Sequence, residues 1–133
     1  MIIDQQLLDS LSTQARQNPR LRMNLDLRNS PADGSQRMLN ALEPGTVMPI
    51  HRHTKTSETI VCLRGRMREL FYDAAGTLTD VFELAPGSQC VGLSVPIGQW
   101  HSLEILEPGT VILECKDGPY VPMSEDDILP PSR

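Results

Sequence analysis

The chain has 133 residues, a length that fits one domain, and a domain of this size buries about two-thirds of its unfolded surface. Its 12 Lys and Arg residues and 17 Asp and Glu residues give a net charge of -5, which disfavours a nucleic-acid partner because phosphate binding needs a basic face. No apolar run approaches the ~18 residues of a membrane span, and the N-terminus lacks a basic region followed by a hydrophobic core. The sequence therefore predicts a cytoplasmic protein without a membrane segment. Cys62, Cys90 and Cys115 are widely spaced and predict buried reduced thiols rather than a disulfide framework.

The first predicted element is a short amphipathic helix over residues 4–17. Apolar side chains recur at helical spacing through residues 3–11, Asp4 is a candidate N-cap, and Asn18-Pro19 ends the helix. Over residues 20–28 the apolar period changes to two, which is typical of a half-buried strand.

Short strands dominate the rest of the chain. Gly, Pro and Asp residues separate nearly all of the predicted strands, which lie at 36–43, 46–53, 58–64, 66–73, 77–84, 88–95, 101–106 and 110–117. Many short strands with evenly spaced turns predict an all-β sandwich or jelly roll.

A candidate metal site lies within this pattern. His51 and His53 alternate along a predicted strand and so point to one face. Residues 54–57 are polar enough to be a turn, which lets Glu58 approach from a neighbouring strand. His101 follows a Pro-x-Gly turn and completes the chain's histidines, and imidazole with carboxylate suits a divalent transition metal such as Zn, Fe, Ni, Mn or Cu. The alternative is that the histidines are surface or hydrogen-bonded strand residues.

The segment around the first two histidines resembles the first motif of the cupin superfamily, G-x5-H-x-H-x(3,4)-E-x6-G. Its fixed positions are matched by Gly45, His51, His53, Glu58 and Gly65. The resemblance implies a single-domain cupin, a jelly-roll barrel (double-stranded β-helix) that holds one metal inside.

The second cupin motif is matched at Pro96, Gly98 and His101. Cys90 stands where the motif has its first glycine, and Ile105 replaces its asparagine. The resemblance still implies that the third histidine, His101, completes the ligand set. It does not determine the backbone conformation at Cys90.

A narrower similarity, over roughly residues 19–122, is to the WbuC family of cupin-fold metalloproteins. It is carried by the segments 19–24, 36–42, 49–55 and 114–120. The resemblance implies a sugar or nucleotide-sugar context in O-antigen and other surface-polysaccharide synthesis, without supplying a reaction. We expect an N-terminal helix and strand extension at 1–35, the cupin barrel at 36–122 and a C-terminal tail at 123–133, whose ending differs from that family's.

Residues outside the ligand set suggest an anionic ligand. Arg20, Arg22 and Asn24 share one strand face, and guanidinium groups at the mouth of the barrel suit the phosphate or carboxylate of a phosphosugar, nucleotide sugar or sugar acid. The alternative is a solvated strand face.

Four further side chains are candidate substrate contacts. Lys55 lies in the ligand turn, Lys116 shares strand parity with Glu114, Tyr120 follows a Gly-Pro turn, and Trp100 precedes His101. Each also has a structural alternative: water for Lys55, an exposed edge for Lys116, and packing for Tyr120 and Trp100.

Three functions are compatible with these residues. The first is metal-assisted isomerase, epimerase or lyase chemistry, with Glu114 or Glu69 as the candidate base. The second is an Fe(II)-dependent dioxygenase. The third is a sugar- or metabolite-binding protein without turnover, which a site lacking a free base would favour. We also expect a homodimer formed through the N-terminal helix and strand.

Overall fold

The computed structural model describes residues 1–130. In this range one helix is followed by eight strands and a short 3₁₀ helix. Their bounds are α1 (Gln5–Gln17), β1 (Arg22–Asp26), β2 (Gln36–Leu42), β3 (Glu58–Arg64), β4 (Met67–Tyr72), β5 (Leu78–Leu84), β6 (Gly92–Val95), β7 (Trp100–Ile105), β8 (Thr110–Lys116) and the 3₁₀ helix Glu125–Asp127.

The strands form two antiparallel sheets that pack face to face. One has five strands in the order β1-β2-β8-β3-β6 and the other has three in the order β5-β4-β7. The apolar core between them includes Leu42, Ile60, Met67 and Ile112. The predicted all-β fold with a short N-terminal helix is confirmed.

Helix α1 covers the outer face of the five-stranded sheet. Its Leu8, Leu11 and Ala15 are buried against Leu39 and Val111. The side chain of Asp4 accepts a hydrogen bond of 3.0 Å from the Leu7 N–H, as expected of an N-cap. No helix in residues 1–130 has the length and apolar character needed to cross a membrane.

Alternation along β1 separates its two faces as the sequence predicts. Met23 and Leu25 pack beneath α1, whereas Arg22 and Asn24 face the space between the sheets. Leu21 precedes the strand at φ 58°, the only positive φ of a non-glycine residue in the described range. This conformation is unfavourable for leucine and turns the chain just before the strand.

The prediction of a strand at 46–53 is wrong. Only His51 pairs there, by isolated bridges to His101 on one side and Ile128 on the other. Pro49 has no N–H to donate, so the segment does not sustain a continuous ladder. The segment is instead held between β7 and the C-terminal tail.

The strand predicted at 88–95 is also shorter, because residues 85–91 form a loop before Gly92. In this loop the Ala85 N–H donates to the Cys90 carbonyl at 3.1 Å. Cys90 has no positive φ, so a glycine is unnecessary at its position. The motif glycines Gly45 and Gly65 do require their residue type, since their φ angles are 97° and 86°.

Candidate metal centre and its adjoining cavities

The three histidines meet at one point between the sheets. One nitrogen from each of His51, His53 and His101 lies within 4.8 Å of the others. The segment of His51 is fixed to β7, because the His51 N–H donates to the His101 carbonyl at 3.0 Å and the His101 N–H donates back at 2.8 Å. A histidine on a short bridge and a histidine on a regular strand are thereby held side by side.

Backbone carbonyls orient two of the rings. Nδ1 of His51 lies 2.8 Å from the Pro49 carbonyl, and Nδ1 of His101 lies 2.9 Å from the Gln99 carbonyl. A carbonyl oxygen only accepts, so each Nδ1 carries the proton and each Nε2 keeps a free lone pair. Burial, with the neighbouring His101, lowers the pKa of His51 to about 4, which keeps its ring in the neutral form that binds metals.

Glu58, the first residue of β3, brings a carboxylate to the same point. Its Oε2 lies 3.4 Å from Nε2 of His53 and 3.4 Å from Nε2 of His101, and it has no hydrogen-bond partner. Burial opposes ionisation of Glu58, whereas the His101 and His53 rings lower its pKa when they carry a proton on Nε2; a cation bound at the same point would favour the carboxylate in the same way. A buried carboxylate oxygen without a partner is costly unless a cation pairs with it.

These donors fit a transition metal. Metal–nitrogen and metal–oxygen bonds of about 2.0–2.2 Å place neighbouring donors about 3–3.5 Å apart, which matches the spacing of Glu58 from the two rings. Three imidazoles and one carboxylate suit Zn, Fe, Ni or Mn. His51, His53, Glu58 and His101 are therefore the residues that would hold the metal.

A cavity of about 400 Å³ opens from this centre, within the ~300–1,000 Å³ typical of small-molecule sites. Strands from both sheets supply its walls. The residues that the sequence singled out and that line it are Arg20, Arg22, Asn24, Glu69, Glu114, Lys116 and Tyr120, together with the four candidate metal ligands.

Two carboxyl groups of this cavity are protonatable near neutral pH. Glu69 is 1% exposed, and neither of its oxygens has a hydrogen-bond partner. Burial, with Glu58 and Glu114 nearby, raises the pKa of Glu69 to about 9. Burial and Glu58 raise the pKa of Glu114 to about 7, while Lys116 opposes the shift. The cavity thus holds one protonated carboxyl and one that can give or take a proton.

A second cavity, of about 170 Å³, adjoins the first. The two cavities share His53, Lys116, Tyr120 and Met123 as lining residues. Lys55 lines the second cavity but not the first. We call the larger space the metal cavity and the smaller one the side cavity.

Trp100 lines neither cavity. It is buried, and the guanidinium carbon of Arg52 lies 4.5 Å above its ring. Nε of Arg52 also lies 3.3 Å from Oδ1 of Asp127. This arrangement corresponds to the packing alternative for Trp100, not to a sugar-stacking platform, and gives Arg52 a structural role.

Sequence reasoning missed two contributors to the site. Asn40 lines the metal cavity, and its Oδ1 has no hydrogen-bond partner. The alternation of Asn40 with Leu39 and Ala41, which pack beneath α1, was an available signal. The second is the tail, where the Leu129 N–H donates to the Ile50 carbonyl at 2.9 Å. No local pattern indicated this long-range pairing.

Two packed antiparallel sheets around a histidine centre define the cupin fold, and solved cupin-fold structures superpose on the chain. KdgF from Halomonas sp. aligns at a TM-score of 0.61 and 15% identity, over 78% of this chain and 84% of KdgF. The capsular polysaccharide assembling protein CapF from Staphylococcus aureus aligns at 0.62 and 20% identity, over 79% of this chain and 30% of CapF. Oxalate decarboxylase from Bacillus subtilis, studied for its Mn(II) centres, aligns at 0.58 and 22% identity, over 80% of this chain and 27% of that enzyme.

Within this fold the chain belongs to the family described as a domain of unknown function, DUF6016, whose model matches residues 3–84. No curated protein matches the sequence. At 15–22% identity the solved structures show the fold alone, and the narrower similarity to WbuC stays a prediction.

Proposed function

We propose that the protein is a metal-dependent cupin that binds and transforms a small anionic sugar derivative in the metal cavity. The observation that carries this proposal is the distribution of unpaired cations. Seven arginines in residues 1–130 each lie within 4 Å of a carboxylate oxygen. The remaining lysines and arginines of the described range have no such partner, and they all line the two cavities: Arg20, Arg22, Lys55 and Lys116.

Unpaired cations around a concave site favour an anionic ligand. In the described range, the hydrogen-bond acceptor of the Arg22 guanidinium is the thioether of Met48, 3.6 Å from Nη1, and a thioether is a weak acceptor. The planar guanidinium groups of Arg20 and Arg22 suit the two oxygens of a carboxylate or phosphate. Clustered charge in a cleft also raises the local concentration of oppositely charged ligands.

Two findings support a sugar as the ligand. CapF, a cupin-fold neighbour, is a capsular polysaccharide assembling protein, and the resemblance to the WbuC family implies a surface-polysaccharide context. A sugar acid or sugar phosphate unites this context with the cationic cavity.

The carboxyl groups of the cavity support turnover rather than binding alone. When bound, the metal supplies a Lewis acid that polarises a sugar carbonyl or hydroxyl. Arg20 and Arg22 orient the anionic end, Glu114 takes or returns a proton, and protonated Glu69 donates a hydrogen bond to a substrate oxygen. Proton transfer of this kind corresponds to isomerase, epimerase or lyase chemistry.

Association as a homodimer stays a prediction, for which size measurement in solution is the check.

Metal content tests the centre directly. We expect purified protein to contain about one transition metal per chain by elemental analysis, and the double variant His51→Ala/His53→Ala to contain none. Circular dichroism would verify that the variant is folded, and exposed Glu83→Gln is the control that should retain the metal. Full occupancy in the folded double variant would contradict the assignment.

Thermal shift tests the ligand class. We expect at least one compound in a panel of phosphosugars, sugar acids and nucleotide sugars to raise the melting temperature of the metal-loaded protein, because such a ligand binds only the folded state. Arg22→Gln should reduce the shift. Arg68→Gln is a matched control, because Arg68 is paired with Glu104 and lines neither cavity. A panel without any stabilising anion would refute the proposal.

A further inference from the structure

We infer that the ligand carries two separated anionic groups, one held by Arg20 and Arg22 in the metal cavity and the other by Lys55 and Lys116 in the side cavity. This inference rests on the proposed function and specifies its substrate: a sugar derivative with a carboxylate or phosphate at each end. The observation that carries it is that the two cavities adjoin, share Lys116 and each have further cations in their lining.

The side cavity has an excess of positive charge. Among residues 1–130, Asp127 is the one carboxylate that lines it, and Asp127 is paired with Arg52. Lys55 and Lys116 have no carboxylate within 4 Å in the described range, although Lys116 acts at longer range on Glu58 and Glu114. Because Arg52 is paired with Asp127, the two lysines give this small space its excess of positive charge. Thr54 and Tyr120 also line it, and their side chains carry hydroxyl groups that can donate hydrogen bonds to an anion.

Lys116 connects the two spaces. It pairs in register with Glu58 across β8 and β3, one strand away from a candidate metal ligand, and it lines both cavities. A ligand confined to the metal cavity would leave Lys55 without an anion. A ligand confined to the side cavity would be separated from Arg20, Arg22 and the protonatable carboxyl groups.

An elongated ligand satisfies both ends at once. Its reacting part would lie beside the candidate metal ligands, with the first anion on Arg20, just before β1, and Arg22, the first residue of β1. Its other end would pass Met123 and Tyr120, which line both spaces, and reach the lysines. Tyr120 is 63% exposed, so this passage lies at the surface, where a ligand can enter.

A matched set of three compounds tests the inference on the metal-loaded protein. Gluconate has a carboxylate at one end, glucose 6-phosphate has a phosphate at the other, and 6-phosphogluconate has both. Fructose 1,6-bisphosphate is a second compound with an anion at each end. By calorimetry we expect a compound with two anions to bind at least tenfold more tightly than either compound with one.

The variants separate the two ends. Lys55 is exposed, so Lys55→Gln should fold normally and should reduce the affinity for the doubly anionic compound about tenfold, while affinity for the singly anionic compound held by the arginines stays unchanged. Arg22→Gln should weaken binding of both, and Arg68→Gln should alter neither. If Lys55→Gln leaves the doubly anionic compound unaffected while Arg22→Gln weakens it, the inference is overturned and the proposed function stands. If no anion in the set or in the thermal-shift panel binds the unmodified protein, the proposed function itself fails.

Discussion

Glu69 is a buried carboxyl whose environment opposes ionisation. It is 1% exposed and lacks a hydrogen-bond partner, and its pKa is raised from 4.5 to about 9 by burial first and by neighbouring carboxylates second. Between pH 4.5 and about pH 9, Glu69 therefore keeps its proton in the folded state and loses it in the unfolded state. Stability therefore falls as the pH rises through this interval.

Glu69→Gln should remove this pH dependence. In metal-free protein we expect the variant to match the unmodified chain near pH 4 and to be more stable by a few kcal/mol at pH 8. Urea denaturation at several pH values in the presence of a chelator measures the difference. Exposed Glu83→Gln is the control, and equal slopes for the Glu69 variant and the unmodified protein would count against a neutral buried carboxyl.

Alternation of side chains along the chain accounts for part of the site's geometry at the level of single residues, even though the segment of His51 is not a continuous strand. It predicted that the side chains of His51 and His53 meet, and in the structure they do. The same alternation turns Arg52 and Trp100 away from the centre, where the guanidinium stacks on the indole. Proximity to His101 in sequence suggested Trp100 as a sugar platform, but the side chain lines neither cavity.

The segment carrying the first two histidines shows where sequence patterns were insufficient. Its alternation predicted a strand, yet only His51 forms bridges. One bridge partner, Ile128, lies in the C-terminal tail, whose packing could not be predicted because its ending differs from that of the WbuC family. A bridge between segments so distant in sequence has no local signature, because its register depends on the folded sheets around it.

The C-terminal tail should contribute to metal affinity. The Arg52 N–H donates to the Asp127 carbonyl at 3.0 Å, and the Leu129 N–H donates to the Ile50 carbonyl at 2.9 Å. These bonds hold the backbone on both sides of His51. Outer contacts that orient metal ligands typically change affinity by about 10–100-fold.

The double variant Asp127→Ala/Leu129→Pro tests this contribution. It removes the ion pair to Arg52 and one backbone donor, and Ile128 already has the extended backbone that precedes proline readily, with φ -128° and ψ 125°. We expect metal affinity to fall about tenfold in competition with a chelator. Asp126→Ala is the neighbouring control, and unchanged affinity in the double variant would show that the tail is dispensable.

At the scale of the whole molecule, net charge conceals the feature that supports an anionic ligand. The chain is acidic overall, but Arg64 pairs with Asp9 on α1 and Arg16 with Glu43, contacts that only the folded chain creates. The lysines and arginines of residues 1–130 that have no such partner line the two cavities. Composition disfavoured a nucleic-acid partner, but it could not reveal a local cationic site.

The metal should also couple segments from distant parts of the molecule. The Gly98 N–H donates to the His53 carbonyl at 2.8 Å, and reciprocal bonds join His51 to His101. Local opening of this assembly separates the candidate ligands, so a bound metal opposes it. At a free metal concentration about 100 times its Kd, we expect amide exchange at Gly98, His51 and His101 to slow by up to about 100-fold. Strand β5 lies at the edge of the three-stranded sheet opposite β7 and is the internal control. Equal slowing of exchange in β5 would indicate global stabilisation. No slowing at either place would argue against a metal held by these histidines.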